Sequence, residues 1–232
     1  MINLMRKEVL LFFRKSLAFA LCALLLQVIV PLFFLDELTR GITGFDELNR
    51  LFTGFLVYFP FMSIPVVSTL VFTQNLSEER REGIIRVLLA NDVKPDAIWK
   101  SKVVVAAVIS EIVNLVSIGS YIVAIRLKYG EWMNFTAEQL LLLFIVIPML
   151  SISISILLCF ILWISKQGEL FAGLLPYVGF FACIYFGLFN GKTLDLLNAP
   201  AVTLIVVSVL LIFGITGFLA SQISKEYISN IR

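Results

Sequence analysis

One acid stands deep inside an apolar block of this chain. Glu111 lies roughly nine residues into a hydrophobic run, or about 13 Å along a helix rising ~1.5 Å per residue. Ser110, Asn114, Ser117 and Tyr121 recur around it at helical spacing and form a polar stripe. A carboxylate at that depth costs about 2.5–3.5 kcal/mol on insertion scales, so it must face protein or water. Two chemistries fit. In the first, Glu111, Asn114 and Ser117 line a substrate path and touch a cargo or a proton. In the second, the stripe is hydrogen-bonding glue between helices, with Gln27 a candidate partner.

A second constellation is ionic. The stretch from Asn75 to Lys102 (NLSEERREGIIRVLLANDVKPDAIWKSK) interrupts the apolar blocks with a concentration of charge found nowhere else in the chain. Ser77 followed by Glu78, Glu79 and Glu82 reads as a helix start, because a hydroxyl can cap free N–H groups and acids suit the first turn of the dipole. Glu82 and Arg86 stand four apart, acid first, the favourable order on an exposed helical face. Ile84, Ile85, Val87, Leu88 and Leu89 supply an apolar side, and Pro95 bars continuation. The expected element is an amphipathic helix of about three turns. It is either a solvated loop helix or a surface that a partner outside the membrane grips, and its charge asymmetry favours docking.

Other reactive chemistry is thinly supplied. Histidine is absent, which removes the commonest metal ligand and neutral-pH proton shuttle. Cys22, Cys159 and Cys183 all fall in apolar blocks and read as packing residues. Gly187-Leu188-Phe189-Asn190-Gly191-Lys192-Thr193 approaches a phosphate-binding loop, but three residues separate its glycines where four are required. The sequence therefore predicts no catalytic residue, no metal site and no bound cofactor. A net charge of +2 carries no nucleic-acid signal.

The elements that position these residues follow from composition. Of 232 residues, 60% are hydrophobic and only 15% charged, and the mean hydropathy is +1.00. Soluble domains sit nearer half apolar and a quarter charged. Continuous apolar runs exclude the alternation of a membrane barrel. The reading is an all-α polytopic membrane protein, a single transmembrane domain over 1–232, with spans near 16–35, 51–74, 102–125, 139–164, 169–190 and 200–221. The segment 75–101 is a cytoplasmic loop. Thirteen of the eighteen Lys and Arg residues fall on the side holding both termini and this loop, which predicts that this side faces the cytoplasm across the inner membrane.

The inner-face stretch resembles type-2 ABC exporter permeases (the type V architecture). These carry a pattern like E-R-E-x-G-T-x-x-x-L after the second span, and G-K opening the third. Here the corresponding residues are Arg81-Glu82-Gly83-Ile84, Leu88-Leu89 and Ser101-Lys102, with Ile84 in place of Thr, Ser101 in place of Gly, and Asn91-Asp92-Val93 where a proline turn is expected. The N-terminal stretch Asn3–Lys15 also looks similar. Its Leu4, Leu10, Leu11, Phe12 and Phe13 alternate with Arg6, Lys7, Glu8, Arg14 and Lys15, which suits a helix lying in the headgroup plane. In the family such a helix braces the nucleotide-binding partner; alone, the same residues also read as a positive anchor for the first span.

The resemblance implies a permease subunit exporting a hydrophobic or amphipathic cargo: peptide, lipid or drug. It implies a second permease copy, identical or related, and two copies of a separate ATPase chain that carry ATP and Mg. Docking would use Glu78, Glu79, Arg81, Glu82, Gly83, Arg86, Leu88 and Leu89, and bracing would use Arg6, Lys7, Arg14 and Lys15. Two other classes compete: an ion-coupled transporter using Glu111, and an intramembrane enzyme whose candidates reduce to Glu111 and serines.

Overall fold

The computed structural model describes residues 2–15, 44–77, 79, 82–164 and 199–229, together with isolated positions between 17 and 29 and between 168 and 177. Among the described residues the chain is all-helical, with no strand. The expected spans at 16–35 and 169–190, and the near-miss phosphate loop, lie wholly or largely outside them.

Helix α1 (Ile2–Lys15) has no acid in its first turn and ends on Arg14 and Lys15, favourable against the negative end of its dipole. Phe12 and Glu8, one turn apart, face inward, while Ile2, Leu10, Phe13, Arg6 and Arg14 face out. Helix α2 (Phe45–Phe72) starts after an extended Gly44, carries Asp46 and Glu47 in its first turn, and runs through both Pro60 and Pro65. It continues directly into a π-helical turn, Thr73–Ser77. The buried Phe72 and Leu76 explain the continuation, since both anchor this stretch in the core.

That continuation corrects the expected helix start. Ser77 closes the π turn extending α2, and Gly83, whose φ of +71° is a left-handed conformation that glycine adopts readily, turns the chain into the next helix. The next helix, α3 (Ile84–Ala90), therefore has only seven residues. Glu82 lies outside it, so the four-residue spacing to Arg86 does not place the two on one helical face.

Pro95 opens a helix where the sequence suggests only that it ends one. Its missing N–H costs nothing at the first helical position. Helix α4 (Pro95–Tyr129) spans 35 residues and stops at Gly130, again left-handed. Residues 95–101, expected in the loop, thus belong to α4. Helix α5 (Ala137–Leu141) begins at a capping box: the Gln139 amide donates to Thr136 Oγ1 (3.3 Å) and the Thr136 amide donates to Gln139 Oε1 (2.8 Å). A π turn (Leu142–Val146) leads into α6 (Ile147–Ile164), and α7 (Ala199–Ser229) packs along α6.

Helices α2, α4 and α6 pack mutually, and α1 lies against α4. Two apolar clusters result. The larger joins Ile64, Phe72, Leu76, Ile98, Val103, Leu150 and Leu158; the smaller, at the other end of α2 and α4, joins Leu48, Phe52, Leu56, Tyr121 and Ile125. Short polar contacts register the helices, including Ser68 Oγ with Ser110 Oγ (2.9 Å) and Ser151 Oγ donating to the Ala107 carbonyl (3.3 Å).

Two runs, Pro95–Tyr129 and Ala137–Trp163, are long and apolar enough to cross a membrane. Their outward faces are apolar too. Val104, Val108, Ile112, Val116, Val123 and Leu127 form an exposed stripe down α4, where an amphipathic soluble helix would carry polar side chains.

Candidate functional site

The charged residues of highest consequence converge at one end of the bundle. Lys102 sits in the second turn of α4, on the face turned toward α1. It donates to Glu8 Oε1 of α1 at 2.7 Å, and its ammonium lies 2.6 Å from Glu79 Oε2 as an ion pair. Lys7 donates to the other Glu79 oxygen at 2.5 Å. Glu8, Glu79 and Lys102 are each only 3% exposed. Two carboxylates and two ammonium groups thus form a formally neutral cluster linking α1, the segment after α2, and α4. Cys159 of α6 is fully buried in the larger apolar cluster.

Burial of an ion costs several kcal/mol even after relaxation, and only close pairing offsets it. The pairing here is unequal. Glu79 is approached by two cations; burial pushes its carboxyl up, but Lys102 and Lys7 together outweigh this and hold it below its ordinary value. Glu8 has Lys102 alone at contact, and burial raises its carboxyl above the ordinary value despite that pair, with the nearby Glu79 charge adding to the rise. Asn75, four residues before Glu79 on the π turn, is 4% exposed and neither of its side-chain polar atoms is hydrogen-bonded.

The expected docking residues divide. Glu79 is not on a docking surface: it is buried and committed to the cluster. Leu88 and Leu89 are half-buried and pack on the core, holding α3 to the bundle. Glu82, Arg86 and Val87 are exposed, and Gly83 supplies the turn before them. Glu78 and Arg81 lie outside the described residues. Of the bracing residues, Arg6, Arg14 and Lys15 are exposed, whereas Lys7 turns in to Glu79.

The polar stripe stays on α4 and lies toward α2. Ser110 pairs with Ser68, and Ser117 donates to the Val113 carbonyl at 2.9 Å within its own helix. Asn114 is 2% exposed, and its side chain lies beside the Glu111 carboxylate. Glu111 Oε2, Asn114 Nδ2 and the Tyr121 hydroxyl are all buried and unpartnered. Gln27, the partner suggested by sequence, lies outside the described residues, and no ion pair reaches Glu111 among those described.

Sequence reasoning misses the cluster. Read along the chain, Lys102 only opens a span and Glu8 only belongs to a mixed charged face. A signal exists in both: Glu8 is the only acid in a basic helix, and Lys102 directly abuts the run Val103–Val105. The chain matches no protein-family model, no curated protein and no solved structure.

Proposed function

We propose that this chain is the multi-pass membrane permease subunit of an ATP-driven exporter, with six spans and both termini in the cytoplasm. A separate ATPase chain, two copies per complex, would supply ATP hydrolysis, and a second permease copy would complete the path. The cargo class is hydrophobic or amphipathic. The observation that carries the reading is the bridge made by Lys102 to both Glu8 and Glu79. It ties the segment leading into α3 to the N-terminal helix and to the long α4.

An outside partner pressing on Glu82, Arg86 and Val87 would load α3, which Leu88 and Leu89 clamp to the core. Displacing Glu79 would pull it from Lys102 and leave buried charges unpaired, at a cost of about 3–5 kcal/mol. The lower-energy response is for α1, this segment and the start of α4 to move together. Force entering at the inner face would then reach α4 as a rigid-body displacement, the kind of motion that switches access to a transport path.

The test is co-expression with a soluble ATPase encoded beside this chain, followed by co-purification and ATPase assays in lipid. Glu82→Ala and Arg86→Ala are expected to weaken assembly and coupling. Transport by the chain alone in vesicles, or full coupling in both variants, refutes the proposal. A second reading, an ion-coupled transporter, draws on one observation, the unpartnered Glu111 carboxylate oxygen. It requires a proton or cation gradient to drive transport without ATP, and Glu111→Gln to abolish it.

A further inference from the structure

Helix α1 has two chemically distinct sides. Glu8 and Phe12 are buried against the bundle, whereas Ile2, Arg6, Leu10 and Phe13 recur at helical spacing on the opposite side, with Val9 and Arg14 at its edges. Exposure there is high for apolar side chains: 80% at Ile2, 61% at Leu10 and 58% at Phe13. Glu8 is the only acid of α1, and Lys102 holds it inside. Lys7 is turned to Glu79. The outward side therefore carries arginines and apolar groups with no acid among them.

The same ion pair fixes the height of α1 along the bundle. Asp96, Lys100, Val104, Val108 and Ile112 follow one another four residues apart down one stripe of α4. Asp96 and Lys100 carry solvent-accessible side chains paired at 3.1 Å. Val104, Val108 and Ile112 are exposed and apolar. The outer surface of α4 thus changes from charged to apolar between Lys100 and Val104, within about 6 Å at ~1.5 Å per residue. Lys102 lies inside this interval, and Glu8, near the middle of α1, is 2.7 Å from it. That pins the middle of α1 at the level where a membrane-crossing α4 leaves the hydrocarbon.

We propose that the outward side of α1 docks on anionic phospholipid, with Ile2, Leu10 and Phe13 entering the acyl border and Arg6 and Arg14 pairing with headgroup phosphates. The planar fork of arginine matches a phosphate. A surface that is apolar and anionic at once, at the height where α4 leaves the hydrocarbon, is the headgroup boundary of a bilayer. The buried Glu8–Lys102 pair gains a second consequence: it withdraws from this surface the one acid of α1 that would repel phosphate. The inference goes beyond the permease reading, since it needs α4 in a membrane and makes no use of an ATPase. An acidic protein gripped by the same arginines is the competing occupant.

The full chain carrying Leu10→Trp is reconstituted without an ATPase into phosphatidylcholine vesicles. Dibrominated phosphatidylglycerol or dibrominated phosphatidylcholine is included at equal mole fraction. Indole quenching, corrected for that of the chain with Leu10 intact, reads the lipid present at α1. Brominated phosphatidylglycerol is expected to be bound more tightly by about fivefold per arginine, the effect of one cation beside an anionic surface. Arg6→Gln combined with Arg14→Gln should bring the two lipids level. The comparison of two lipids with both arginines intact stands even where the double variant fails to fold. No quenching by either lipid, equal quenching by both, or a preference that survives loss of both arginines overturns the proposal. Absent quenching together with lost ATPase co-purification in the arginine variants would assign the surface to the protein partner instead. A failed test of ATP coupling leaves the lipid readout intact.

Discussion

Lys102 on α4 donates to Glu8 on α1 at 2.7 Å across 94 residues of sequence, with both side chains almost wholly buried. One ammonium group is shared between Glu8 and Glu79, so a single side chain ties both the N-terminal helix and the segment after α2 to α4.

Replacing Lys102 with Met keeps the volume and removes the shared charge. Two buried carboxylates then face each other with Lys7 alone to serve them. We expect a loss of about 3–5 kcal/mol in unfolding free energy, measured by thermal or denaturant unfolding in detergent. Adding Glu8→Gln should recover part of it, because the remaining acid, Glu79, keeps Lys7. A loss below about 1 kcal/mol for Lys102→Met would show that the cluster is not a structural tie.

Stability should depend on pH in two opposed ways. The Glu8 carboxyl lies above its ordinary 4.5 in the folded chain, so the folded state holds that proton more tightly than the unfolded state. Its contribution is fully present below about pH 4.5 and is lost as pH rises through the raised value. The Glu79 carboxyl lies below 4.5. Its contribution is present above about pH 4.5 and is lost as pH falls through the lowered value. Unfolding temperatures measured against pH in Glu8→Gln should lack the falling limb above about pH 4.5, and those in Glu79→Gln should lack the acid limb.

Gly83 turns the chain at φ +71°, and no other group comes within 4 Å of the place an alanine Cβ would take. An alanine there meets no neighbour, so its penalty is conformational, about 1 kcal/mol. Gly44 has φ −106° and equally open surroundings, so Gly44→Ala should leave stability unchanged or raise it. The same unfolding assay distinguishes the two positions.

Gly168 is constrained by space. A Cβ there would lie 2.5 Å from the Ile161 carbonyl oxygen and 2.9 Å from Leu162 Cα, both backbone atoms that cannot rotate away. Gly168→Ala should cost about 1–3 kcal/mol, the scale of overpacking. Gly173→Ala, which meets nothing within 4 Å, is the matched control.

Several features are legible from residues alone. Apolar runs predict helices over 51–74, 102–125 and 139–164, and α2, α4, α5 and α6 with the two π turns cover them, because a long unbroken apolar run without alternation admits little else. Boundaries are less legible. Pro95 reads equally as a stop or as a first helical residue, and Ser77 reads as a cap until Phe72 and Leu76 are seen anchoring the turn that contains it. The polar stripe on α4 is evident from spacing, whereas the missing partners of Glu111 and Asn114 are not, since they depend on what α2 and its neighbours place opposite.

Composition and period dictate the helical class, the apolar outward faces and the concentration of charge between the second and third runs, because every local segment carries those properties independently. Which charges are buried, and whom they meet, is settled only by the packing of the helices. Glu79 has the same side chain as its solvated neighbour Glu82, three positions on, and only the packing separates them. When α1 folds against α4, one lysine becomes the common partner of two acids, because ion pairing depends on distance and desolvation, and the fold sets both.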